Sequence, residues 1–126
     1  MVPAARLTAF VATTDLDRAA AFYVDLLGLT LLGRDSYAAV VDGQGAQLRI
    51  TPVQAKAPAE YTVLGWEVPD LDAAVDDLRA RGVTFTLYPG MDQDEHDAWR
   101  APDGTRVAWF ADPDGNTLSL HQHATG

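Results

Sequence analysis

Three histidines, one glutamate on a strand-like run and one arginine set among apolar neighbours are the side chains here best suited to chemistry. Glu67 closes the run "TVLGWEV", Arg49 interrupts "QLRIT", and His121 and His123 stand in "SLHQHATG". Alternation along a strand puts Ser119 and His121 on one face. His123 falls in the terminal tail, and His96 lies in the acidic stretch "MDQDEHDAW". A tetrahedral metal site needs three or four converging donors, and two histidines near a terminus do not supply them, so they read as solvated side chains. Glu67 and His121 remain candidates for proton transfer. Arg49 is a candidate anchor, because a planar guanidinium grips a carboxylate or similar oxygen group through paired hydrogen bonds. The 126-residue chain has no cysteine, which removes thiolate ligands, thiol nucleophiles and disulfides.

Strands must aim these side chains, and the chain states its strands twice. "TDLDRAAAFYVDLLGLT" (14–30) and "PDLDAAVDDLRARGVT" (69–84) are two versions of one pattern, with Asp15, Leu16, Asp17 and Ala19 recurring 55 residues on as Asp70, Leu71, Asp72 and Ala74. Each copy opens on a strand, "RLTAFVA" (6–12) or "TVLGWEV" (62–68). An aspartate then caps a helix by accepting from the free amides of its first turn. The apolar stripes are Leu16, Ala20, Tyr23 and Leu27 in the first helix and Leu71, Ala74, Val75 and Leu78 in the second. Gly28 and Gly82 end the helices as left-handed caps. Three extended runs follow each helix: 30–33, 37–41 and 46–51, then 83–88, 105–111 and 117–121. "DPDG" turns the last two into a hairpin, with Pro113 fixing φ, Asp114 bonding its own backbone and Gly115 accepting positive φ, and "APDG" (101–104) sets the same turn before 105–111. The order strand, helix, three strands predicts an α+β fold of two tandem βαβββ modules in one domain. They span about 5–52 and 61–122, joined by a Pro-containing linker over 53–60.

That order, carried by "DLDRAAAFYVDLLGL", "VPDLDAAVDDLRARGV" and "DPDGNTLSL", resembles the vicinal oxygen chelate superfamily of glyoxalases, bleomycin-resistance proteins and extradiol dioxygenases over nearly the whole chain. The resemblance implies two modules whose mixed sheets curve around a cleft, and in the metal enzymes four ligands on four strands. Their counterparts here are Thr8, Arg49, Val63 and Ser119, the last standing where the enzymes carry glutamate. None of the four offers a carboxylate or an imidazole, and a guanidinium repels a cation, so no family metal and no cofactor are expected.

Alternation from these positions gives the rest of the implied cleft face: Phe10 beside Thr8, Gln47 beside Arg49, Glu67 beside Val63, and His121 beside Ser119. Trp99 joins the candidates because its long acidic connection has the length of a lid, with a plain solvated loop as the alternative. The expected ligand-binding set is therefore Thr8, Phe10, Gln47, Arg49, Val63, Glu67, Trp99, Ser119 and His121, with the alternative that Arg49 and Glu67 form a structural pair. The function this implies is metal-free binding of a small molecule, for sequestration or sensing; a metal-independent lyase or isomerase using Glu67 or His121 is the second reading. A net charge of −9 with scattered cations argues against nucleic acid. No apolar run reaches the roughly 18 residues of a membrane span, and no signal peptide is visible, so a cytoplasmic protein is expected. Apolar first strands such as "RLTAFVA" would be open edges, and a C2 homodimer is expected to cover them.

Overall fold

The structure, a computed structural model, describes residues 4–124. It divides into two units at Pro58/Ala59, each a complete module. In the first, β1 (Thr8–Thr13) leads into α1 (Leu16–Ala20) and a π-helical continuation (Ala21–Leu26), followed by β2 (Thr30–Arg34), β3 (Ala39–Asp42) and β4 (Gln47–Pro52). In the second, β5 (Ala59–Glu67) precedes α2 (Leu71–Ala80), β6 (Trp99–Arg100), β7 (Arg106–Ala111) and β8 (Asn116–Gln122). The strand orders are β1-β4-β3-β2 and β5-β8-β7-β6. Each first strand runs parallel to its last, and the other pairs are antiparallel. The βαβββ order is thus the one expected, with β5 starting at Ala59, inside the expected linker.

Both helices start as their aspartates dictate: Asp15 accepts from the Arg18 amide and Asp70 from the Ala73 amide, each at 3.1 Å. α2 ends in a Schellman motif, in which the amide of Gly82 (φ +95°) donates to the Arg79 carbonyl and that of Val83 to Leu78, both at 3.0 Å. The first copy has one residue more between cap and glycine. That extra residue is taken up as the π-helical stretch, where the Leu27 amide reaches back to Phe22 at 2.9 Å. Of the expected stripe Tyr23 is buried, whereas Leu16, Ala20 and Leu27 are only half-buried, and Ala19 and Phe22 complete the buried face. In α2 the expected Leu71, Val75 and Leu78 do face inward.

α1 packs on β4 and α2 on β8. The sheet faces beneath them carry Val11, Val41, Leu48 and Ile50 in the first module and Ala108, Phe110, Leu118 and Leu120 in the second, all buried. Each large aliphatic side chain so placed contributes roughly 1.5–3 kcal/mol, which fixes which face of every strand turns away from the helix. At the 112–116 turn Asp112 caps the backbone. Its buried carboxylate accepts from the amides of Asp114 and Asn116 at 2.9 Å and from the Asn116 side chain at 2.7 Å.

One expected strand is absent as such. The run 83–88 makes a single bridge, Phe85 to Phe110, and one hydrogen bond from the Thr86 amide to Trp109, before Pro89 and Gly90 turn the chain away. β6 supplies the other half of that edge, pairing Trp99 with Val107 and Arg100 with Arg106. Gln93 clips the halves together: its Nε2 donates to the carbonyls of Thr86 (3.0 Å) and Asp97 (2.8 Å), and its Oε1 accepts from the Tyr88 amide (2.8 Å).

Candidate functional site

Each module turns one sheet face toward its helix, and the candidate residues divide between the two opposite faces. In the first module the register aligns Thr8, Gln47 and Asp42 in one row and Phe10, Arg49 and Val40 in the next. Phe10 is 64% exposed and Arg49 half-buried. Among the described residues of its module, Arg49 meets no carboxylate within ion-pairing distance, whereas Arg34 pairs with Asp17. A charge placed between an aromatic ring and an aliphatic side chain, with its donors unspent, suits an anionic or carbonyl-rich group. At the neighbouring end of the same sheet a cavity of about 460 Å³ is lined by Arg6, Leu7, Thr8, Leu32, Asp42 and Gln47 among others. It takes in Thr8 and Gln47 but not Arg49.

In the second module the rows are Glu67, His121, Val107 and Trp99, then Gly65, Ser119 and Trp109, then Thr62, Thr117 and Ala111. β5 is irregular between Ala59 and Thr62 and again between Thr62 and Leu64, so Val63 has no cross-strand partner. Alternation counted back from Gly65 therefore slips at Val63, and Thr62 takes the place beside Thr117. Its hydroxyl accepts from the Trp109 indole at 3.2 Å. Tyr88 stands edge-on to Trp109 with ring centres 5.3 Å apart, and Trp99 lies 6.4 Å from the same ring. Thr62, Tyr88 and Trp109 were not among the expected site residues. The bulge that exposes Thr62 leaves no mark in the apolar–polar pattern, and the sequence around Trp109 suits a cleft wall as well as core.

Ser119 is 6% exposed, and a Cβ built on Gly65 would fall 2.7 Å from its Oγ. Glycine at 65 is thus what lets the serine lie across β5. At the edge of this face Glu67 and His123 approach to 3.8 Å, and the rings of His121 and His123 to 5.0 Å. Glu67 is exposed rather than lodged in an apolar pocket.

The acidic connection is not arranged as a free lid, because its charges are held to α2 and β7. Arg79 bonds Asp97 at 2.7 Å and the Glu95 carbonyl at 3.2 Å, and Arg106 bonds both Asp72 and Asp94 at 2.7 Å. His96 sits 3.3 Å from Asp72 and from Asp76. Burial alone would raise the Asp94 carboxyl, but the Arg106 hydrogen bond and the amides of Ala98 and His96 hold it below its ordinary value.

At Thr8, Arg49, Val63 and Ser119 the donors are two hydroxyls, a cation and an isopropyl group. That set does not fit a divalent ion, which requires several carboxylates or imidazoles.

The sequence pattern of the Glyoxalase/Bleomycin resistance protein/Dioxygenase superfamily matches residues 6–120. No curated protein matches the chain. Among solved structures, a glyoxalase/bleomycin resistance protein/dioxygenase from Alicyclobacillus acidocaldarius is 22% identical, covering 98% of this chain and 95% of that one at a TM-score of 0.77. A superfamily member from Sphaerobacter thermophilus is 28% identical, with 95% and 98% covered and a TM-score of 0.74. An antibiotic binding protein from a Streptomyces species, TnmS3, is 26% identical, with 98% and 99% covered and a TM-score of 0.74.

Proposed function

The chain belongs to the Glyoxalase/Bleomycin resistance protein/Dioxygenase superfamily, and from that premise we propose that it binds a small, oxygen-rich or anionic organic molecule without using a metal at the family positions. The observation that carries this reading is Arg49. It stands on the sheet face opposite the helix, between Phe10 and Val40, with no carboxylate of its module to neutralise it. An unspent guanidinium flanked by apolar groups favours a ligand that pairs a planar oxygen group with a hydrophobic body. The aromatic face of Tyr88, Trp99 and Trp109 in the second module supports the same class of ligand. The likeness to an antibiotic binding protein supports sequestration of such a molecule over its turnover. A cytoplasmic role fits the absence, among the described residues, of any helix long and apolar enough to cross a membrane.

A thermal-shift screen of aromatic carboxylates and oxygen-rich aromatic compounds tests the proposal. At least one compound should stabilise the protein, in EDTA as well as without it, and Arg49→Met should remove the shift. Binding that survives Arg49→Met, or that EDTA abolishes, overturns the reading.

A further inference from the structure

The sequence alone offers two histidine donors near the end of the chain, too few for a metal. The fold brings a third. β5 and β8 run parallel with Glu67 directly opposite His121, and His123 follows two residues on, just past the end of β8. One ligand atom from each of Glu67, His121 and His123 lies within 4.8 Å of the others. We propose that these three residues form a divalent transition-metal site, of the kind that takes zinc, on the sheet face of the second module opposite α2. It is distinct from the positions of Thr8, Arg49, Val63 and Ser119, and it does not depend on the Arg49 reading.

Geometry, donor type and support all favour it. Two ligands at about 2.1 Å from a tetrahedral ion sit about 3.4 Å apart. Glu67 and His123 are already at 3.8 Å, and their side chains are 58% and 60% exposed, free to close the remainder. His121, half-buried on its strand, is the fixed member. The Thr105 hydroxyl lies 3.3 Å from Nδ1 of His123, which leaves Nε2 as the atom facing Glu67. A partner on the outer ring nitrogen is how protein imidazoles are usually oriented toward a metal. Two imidazoles and one carboxylate select borderline ions over calcium or magnesium, which prefer all-oxygen shells. Three protein donors leave the fourth tetrahedral position open to water or to a ligand oxygen.

The untagged full chain, titrated with zinc chloride by calorimetry at neutral pH, should bind one equivalent. His123→Ala and His121→Ala should each weaken binding by at least about tenfold, and Glu67→Gln should weaken it too. His96→Ala removes a histidine that pairs with Asp72, Asp76 and Glu95, away from the proposed site, and should leave the affinity unchanged. Circular dichroism of each variant separates loss of a ligand from loss of fold. Cobalt substitution gives a second readout: its ligand-field absorption should appear in the wild type and vanish in the His121/His123 double variant. Absence of stoichiometric zinc binding, or zinc binding that neither His121→Ala nor His123→Ala weakens, overturns the site.

Discussion

Arg49 and Gly65 show how much one side chain, or the lack of one, decides on these faces. Because Arg49 makes no ion pair within its module, Arg49→Met should change stability by less than about 0.5 kcal/mol while removing ligand binding. Denaturant unfolding checks the first expectation, and a large loss of stability would mean that Arg49 is structural. Gly65 is the reverse case, silent in chemistry and decisive in packing. Gly65→Ala should cost about 1–3 kcal/mol, because the new methyl meets Ser119 Oγ at 2.7 Å. Adding Ser119→Ala removes that oxygen and should restore most of the loss in a double-mutant cycle. Additive costs would mean that the two positions do not touch.

At the scale of the element, the split edge of the second sheet is the main departure from simple repetition. Phe85 and the Trp99–Arg100 strand share one edge, and the connection between them is held by Gln93, Arg79 and Arg106. Asp94 is one of the anchors. Its folded-state carboxyl titrates below the ordinary value of 3.8, so its contribution is present above that value and fades as pH falls through the lowered one. Asp94→Asn should therefore cost about 0.5–1 kcal/mol near neutrality. The gap from wild type should narrow below pH 3.8, as followed by unfolding at several pH values. The helix caps behave more simply: Asp70→Ala should cost about 1 kcal/mol, through the lost bond to the Ala73 amide.

For the whole molecule, the terminal strands of the two sheets bear on assembly. β1 and β5 are terminal strands of their sheets, and Leu7, Phe10 and Tyr61 on or beside them are 77%, 64% and 74% exposed. Apolar edges of this kind are normally paired or buried by association. A C2 homodimer is the expected form, and light scattering at micromolar concentration should return twice the 13.6 kDa chain mass. A monomer there would refute it.

Local chemistry in the sequence determined the elements and their order. An aspartate before an apolar stripe starts a helix, a glycine after it ends one, and Pro-Asp-Gly turns a strand, all through bonds between near neighbours; the 55-residue repeat then implied two equal modules. Alternation also placed Thr8, Phe10, Gln47 and Arg49 on one face, because β1 and β4 are regular. It failed where regularity failed. The β5 bulge put Thr62 rather than Val63 beside Thr117, the first buried helical face took in Ala19 and Phe22, and the acidic connection became part of a sheet edge. Only tertiary structure could bring Glu67 to His121 and His123, 54 and 56 residues further along the chain. Parallel pairing of β5 with β8 depends on the helix and two strands between them closing into a sheet, and no local spacing encodes that contact.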